Sequence, residues 1–180
     1  MRPKPAPNYL AGYPDVLTRP IIALIAEHQF ADLMLKRYPL AHDIRSDKTL
    51  YDYVKDIKNT YLRHANQLNR VGYDSKLHIT HHALGIHTSK SSKHGAKLKA
   101  KQEIQVAALF KNMPLDFLSM IVVHELAHIK EHEHNKAFYK LCCHMEPTYH
   151  QLEFDVRIYL TYLAAGGAPL WLPNAANEME

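Results

Sequence analysis

The sequence predicts an α+β fold with one domain, in which a small antiparallel or mixed sheet packs on a central helix. Further helices are expected on its N-terminal and C-terminal sides. Three observations predict this fold. Apolar residues recur at helical spacing in several segments, and apolar and polar residues alternate over 97–108 with the period of a strand. Residues 121–129 contain a short polar motif surrounded by apolar residues typical of a core. A chain of 180 residues suits a single domain, which would bury roughly 70% of its unfolded surface.

The first third of the chain is predicted to be helical behind an extended arm. Residues 1–14 contain four prolines and form that arm. Pro20 is expected in the first turn of a helix over 20–28. A second helix covers 31–37 and stops at the Tyr-Pro pair that follows. A longer helix over 46–69, capped by Ser or Asp, is predicted from one continuous apolar stripe.

The middle of the chain is predicted to supply the sheet. Residues 76–80 and 83–88 are expected as short strands joined through two adjacent histidines, and 89–95 as a loop. Residues 97–110 alternate lysines with apolar residues, which is typical of a half-buried strand. We interpret the lysines as a solvated face or a guarded sheet edge, and the histidines as exposed rather than as a second metal site.

The C-terminal part returns to helices. A core helix begins between 114 and 116, Asn135 caps a helix over 136–145, and Thr148 caps the last one. This last helix is expected to reach about residue 165, where two glycines stop it. Residues 168–180 are predicted to be a loosely attached tail. The whole chain, 1–180, is thus expected to be one domain with an extended N-terminal arm and a C-terminal tail.

Composition limits the classes of function. The chain is 47% apolar and 22% charged, which is ordinary for a globular protein. The two cysteines, Cys142 and Cys143, are adjacent and make no disulfide framework. We find no secretory signal or membrane segment and predict a cytoplasmic protein. A formal net charge of +4 permits weak association with nucleic acid without requiring it.

The polar motif in the core helix is His124-Glu125-Leu126-Ala127-His128, the H-E-x-x-H pattern of zinc peptidases. Residues four apart share one face of a helix, so His124 and His128 can offer two imidazoles to one ion. An ion such as Zn²⁺ would lower the pKa of a bound water to about 7, and Glu125 is placed to accept its proton.

A catalytic zinc needs a third protein ligand, and His134 is predicted to supply it. A straight helix would carry His134 about 9 Å beyond His128, so the chain must leave the helix within 130–133 and fold back. Metzincins share this spacing but have Gly where this chain has Glu131. The alternative third ligand is Glu153, on a later helix, as in gluzincins.

These residues resemble those of the YgjP-like metallopeptidases, relatives of the SprT-like and WLM proteases. The resemblance rests on residues 124–128, on His134 with the Phe-Tyr pair at 138–139, and on residues 145–149. It implies a compact zincin-like fold with three His ligands, a catalytic Glu and Zn²⁺. Many relatives carry Trp-Gly-Ser-Cys ahead of the strand, where this chain has Lys-His-Gly-Ala-Lys at 93–97.

The predicted function is therefore zinc-dependent hydrolysis of a peptide or protein, with Glu125 as the general base and His124, His128 and His134 as metal ligands. Two alternatives remain open: a DNA-associated protease, and a zinc-binding scaffold without turnover. As another possibility, Glu153 or Asp155 does not bind the metal and instead orients a ligand imidazole through its carboxylate. Candidate donors to the oxyanion are Tyr139, His144, Tyr149 and His150.

Overall fold

The fold contains six α-helices and three strands within the residues that this computed structural model describes, which are 8–77, 85–94 and 97–171. For 85–94 and 97–101 the description is that of the backbone. The helices are α1 (Asp15–Ala26), α2 (Phe30–Arg37), α3 (Asp47–Tyr61), α4 (Leu115–Ala127), α5 (Lys136–Met145) and α6 (Tyr149–Ala164). The strands are β1 (Leu68–Asp74), β2 (Gly85–His94) and β3 (Lys97–Ala107), and a 3₁₀ helix, Ala108–Asn112, follows β3.

The three strands form one mixed sheet in the order β1-β3-β2. β1 runs parallel to β3, and β2 pairs with β3 in the antiparallel sense. The parallel pair needs a long connection, and residues 75–96 provide one that contains β2 itself. The prediction of an α+β fold is confirmed, while its purely antiparallel alternative is wrong.

The boundary between α3 and β1 differs from the prediction. The helix ends at Tyr61 rather than Asn69, and Leu68 opens a strand. Gly72 lies inside β1. A Cβ at this position would come within 3.0 Å of the Asp47 carboxylate, whose Oδ1 accepts a hydrogen bond from the backbone N–H of Tyr73. Glycine therefore allows the start of α3 to approach β1 closely.

The predicted hairpin also needs correction. Lys76 lies in a turn rather than a strand, and the expected loop over 89–95 lies largely within β2, which continues to His94. The remainder of the hairpin, 78–84, falls outside the described residues. β3 ends at Ala107, three residues before the predicted end at 110, because the chain turns into the 3₁₀ helix.

The outer helices are close to the predictions, with one difference. α1 begins at Asp15, so Pro20 lies inside it rather than in its first turn. α5 begins after Asn135, whose side chain accepts a hydrogen bond from the Phe138 N–H at 3.0 Å. α6 ends just before Gly166, which adopts a left-handed φ of 91° suited to a helix stop.

The core is centred on α4, which packs against β2, β3, α5 and α6. Ten of its residues are buried, on every face of the helix: Phe117, Leu118, Met120, Ile121, Val122, Val123, His124, Glu125, Leu126 and Ala127. A helix apolar on all faces belongs in the interior, and its motif is therefore carried on a rigid element. None of the helices in the described ranges is long and apolar enough to cross a membrane.

Candidate metal centre

The site begins at the C-terminal end of α4. His124 and Glu125 lie in its last turn, 6% and 1% exposed, and His128 is the C-cap residue. The helix stops here because its final hydrogen bonds tighten: the N–H of Ile129 bonds to the Leu126 carbonyl, and the N–H of Lys130 to the Ala127 carbonyl. The chain thus leaves the helix slightly earlier than the predicted interval of 130–133.

The turn after α4 needs no glycine. The Glu131 N–H bonds to the Ala127 carbonyl at 2.9 Å, which closes the turn, and the Glu131 carbonyl accepts a hydrogen bond from His128 Nδ1 at 3.0 Å. Among the non-glycine residues that the structure describes, His28 is the one with positive φ. Glu131 therefore avoids the left-handed conformation that would favour glycine.

The turn brings His134 back to the pair on α4. The Nε2 atoms of His124 and His128 are 3.2 Å apart, and His134 Nε2 lies 3.2 Å from the first and 3.1 Å from the second. Nitrogens placed tetrahedrally at 2.0–2.1 Å from a zinc ion are separated by about 3.3 Å. The spacing of this His triad (His124, His128 and His134) therefore fits a metal ion held by three nitrogens.

The hydrogen bond behind His128 sets the lone pair of its other nitrogen. A carbonyl oxygen can only accept, so His128 Nδ1 must carry the hydrogen toward Glu131 and leave Nε2 with a lone pair in the neutral ring. His124 Nδ1 lies 2.7 Å from the Tyr149 hydroxyl, which can donate or accept. The three converging imidazoles form a donor set able to hold a metal ion.

Electrostatics also favour the neutral ligand form of His124. Its pKa is lowered well below the usual value, first because burial penalises the imidazolium, and then through the neighbouring His128 and His134 and the charge of Arg157. A neutral imidazole is the form that binds a metal.

Phe138 forms an apolar floor beneath the triad. Its buried ring lies 5.0 Å from the ring of His124, 4.6 Å from that of His128 and 4.8 Å from that of His134, measured between centroids. The sequence analysis did not predict this contact of Phe138 with all three imidazoles. Such packing restricts the rotamers of the three rings and so keeps their nitrogens together.

Glu125 supplies a carboxylate that the protein itself does not fully satisfy. Within the described residues, its Oε2 is buried without a hydrogen-bond partner. Burial raises the pKa of Glu125 to about 8. An unpaired buried carboxyl oxygen is costly, and residues of this kind cluster at functional sites. The feature is explained if a water or ligand in the site completes its hydrogen bonding.

The two carboxylates considered as partners of the site lie elsewhere. Glu153 pairs with Arg157 on the next turn of α6 at 2.8 Å and is absent from the group of converging metal donors. Asp155 accepts hydrogen bonds from the Tyr38 hydroxyl at 2.6 Å and from Gln151 at 2.9 Å. Within the described residues, these hydrogen bonds direct both carboxylates to groups outside the triad.

The four candidate oxyanion donors differ in burial and in their position relative to the triad. Tyr149 is fully buried behind His124, and His144 packs edge-on against the Tyr61 ring. Tyr139 lies beside the triad, with its ring centroid 6.4 Å from that of His134 and 5.3 Å from that of exposed His150. Of the four, Tyr139 and His150 stand on the more open side of the site.

Comparison with known proteins adds three findings. A family model described as YgjP-like, metallopeptidase domain, matches residues 27–156. The chain is 57% identical over 159 residues to a UTP pyrophosphatase of Escherichia coli (strain K12), a match that covers 88% of this chain and 95% of that protein. No solved structure matches the chain.

Proposed function

The chain belongs to the YgjP-like family, and on that premise we propose that it is a metal-dependent hydrolase of nucleoside triphosphates, with UTP as the first candidate substrate. The observation that carries the substrate is the 57% identity to a UTP pyrophosphatase across almost the whole chain. For UTP the reaction adds water across the bond between the α and β phosphates and yields UMP and pyrophosphate. We further propose that the fold is zincin-like.

The metal is proposed to be Zn²⁺, held by His124, His128 and His134. Three imidazoles suit zinc, and their close spacing supports one ion shared by all of them. When bound, the ion supplies a Lewis acid and lowers the pKa of a water that it holds. The ring bonds to Glu131 and Tyr149 keep the ligand rings in place.

Glu125 is proposed to be the general base. It adjoins the first ligand in sequence, is buried, and keeps one carboxyl oxygen without a protein partner. Its raised pKa lets it hold a proton near neutral pH, and a cation beside it lowers that pKa and restores the carboxylate. Glu125 can thus accept the proton of the attacking water and return it to the leaving group.

The charge of the sheet is compatible with a polyphosphate substrate. Strands β2 and β3 carry five lysines, Lys90, Lys93, Lys97, Lys99 and Lys101, and Lys90 lies directly opposite Lys101 in the backbone register. Both strands pack against α4, the helix that carries the first metal ligands. Positive charge on a protein raises the local concentration of anionic substrates around it.

Hydrolysis of peptide bonds is the second candidate. It is supported by the description of the family as a metallopeptidase domain and by the His-Glu-x-x-His motif. In the described part of the sheet β2 is an edge strand that also contacts α4, so an extended peptide could add to it as a further strand. The same metal ligands and the same base would serve both reactions.

A direct comparison of products tests the two candidates. The zinc-loaded protein is incubated with UTP, CTP, ATP and GTP, and in parallel with a peptide library, and the products are separated by chromatography. We expect UMP and pyrophosphate from UTP, and an about 10²–10⁴-fold loss of turnover in Glu125→Gln with its zinc content unchanged. Peptide cleavage without UTP hydrolysis would favour the second candidate, and turnover undiminished in Glu125→Gln would contradict the role of Glu125.

A further inference from the structure

Tyr149 connects the last helix to the metal centre. It is the first residue of α6 and is fully buried, and its hydroxyl lies 2.7 Å from His124 Nδ1. In many metal sites the second nitrogen of a ligand histidine bonds to a carboxylate or a backbone carbonyl. Here that place is taken by a neutral hydroxyl, which can either donate or accept a hydrogen bond.

The direction of this bond follows from the other nitrogen of the same ring. His124 Nε2 lies 3.2 Å from the Nε2 atoms of His128 and His134, so this nitrogen is the one that would face a metal ion. It can bind an ion only through a lone pair, so in the neutral ring the hydrogen must be on Nδ1 and the Tyr149 hydroxyl must accept it.

We propose that Tyr149 is a positioning residue, whose buried hydroxyl fixes the tautomer and ring orientation of His124. The inference rests on the proposed metal site but not on the identity of the substrate.

A hydroxyl in this place differs chemically from a carboxylate. A carboxylate acceptor would increase the basicity of the imidazole and transfer negative charge to the ion. The carboxylate of Glu153, on the same helix, is itself paired with Arg157. The neutral hydroxyl therefore fixes the ring and would leave a bound ion more electron-poor, which suits a Lewis acid.

The first test compares two Tyr→Phe substitutions. Tyr149→Phe keeps the ring and removes only the hydroxyl. Tyr38→Phe is the matched control, because its buried hydroxyl bonds to Asp155 and has no part in the triad. Zinc affinity is measured by competition with a chromophoric chelator. We expect Tyr149→Phe to bind zinc about 10–100-fold more weakly than the wild type, and Tyr38→Phe to bind it with wild-type affinity. Wild-type affinity in Tyr149→Phe overturns the inference, and a wild type that binds no zinc overturns the proposed metal site with it.

A second measurement does not depend on the folding of a variant. Long-range proton–nitrogen NMR of the metal-free wild type reports which nitrogen of His124 carries the hydrogen in its neutral ring. We expect Nδ1, and hydrogen on Nε2 overturns the inference.

Discussion

Glu131 lies in the turn between α4 and His134, and its residue type does not predict that turn. Metzincins, which have the same spacing between the second and third histidines, use glycine at this position, so the turn could not be explained from the sequence. In the structure the turn is closed by hydrogen bonds to the end of α4, without a left-handed residue. The Glu131 carbonyl also holds the His128 ring. Its backbone, rather than its side chain, therefore contributes to the site.

The first residue-scale prediction concerns the third ligand. Replacing His134 by Ala removes one of three converging nitrogens, so we expect metal binding to weaken by more than the roughly 10–100-fold typical of an outer-shell partner. Glu153→Ala should retain one metal per chain, although its stability should fall because Arg157 loses its ion-pair partner. Metal content after gel filtration checks both variants. Loss of metal in Glu153→Ala with retention in His134→Ala would reverse the assignment.

At the scale of elements, the N-terminus of α5 determines where His134 lies. Asn135 caps this helix directly after the histidine, and Phe138, one turn later, supports all three imidazoles. The cap and the apolar floor therefore connect the stability of one helix to the geometry of the site. The cap of α3, Ser46, likewise accepts a hydrogen bond from a backbone N–H three residues on, at Thr49, and adds a capping box, but it lies on a different element.

These two caps make a matched pair of substitutions. Asn135→Ala and Ser46→Ala should each lower the free energy of unfolding by about 1 kcal/mol, the usual cost of losing a capping side chain. Only Asn135→Ala should also weaken metal binding, because it loosens the segment that carries His134. Denaturant unfolding and metal titration measure the two effects. Equal loss of metal affinity in both variants would indicate a general effect of stability rather than a local one.

The accuracy of the sequence-based prediction also varied by element. α5 could be predicted because its cap and its apolar pattern agree, and α4 because a long apolar run follows Pro114. The end of α3 could not, because Ala65 and Leu68 continue its apolar stripe although the chain has already left the helix. β1 was missed for a related reason: its burial does not alternate regularly, since Val71 and Gly72 are adjacent and both buried. Only its pairing with β3 defines it.

The convergence of the three histidines was easier to predict than the groups that hold their rings in place. His124 and His128 share a helical face by spacing alone, and the sequence also named His134 as the candidate that the fold brings to them. The hydroxyl of Tyr149, the carbonyl of Glu131 and the ring of Phe138 could not be assigned in this way. Their contacts depend on how α4, α5 and α6 meet, which no local pattern encodes.

At the scale of the whole molecule, metal binding should be measurable as thermal stability. An ion that binds the folded chain but not the unfolded one stabilises it by about 4.1 kcal/mol at a free concentration 1,000 times its Kd. For a domain of this size that corresponds to a rise in Tm of roughly 8–16 °C. Differential scanning calorimetry with Zn²⁺ and after chelation checks the shift. His134→Ala should show almost none, and an equal shift in that variant would place the ion elsewhere.

All three imidazoles come from residues 124–134, so a bound ion would close a very short stretch of backbone rather than join distant parts of the chain. Ordering such a stretch has a small cost in chain entropy, because loop-closure entropy grows with the number of residues enclosed. Most residues of the hydrophobic core lie outside this stretch, in the sheet and the other helices, and should stay packed without an ion. We therefore expect the centre to release its ion and take up another repeatedly while the chain stays folded.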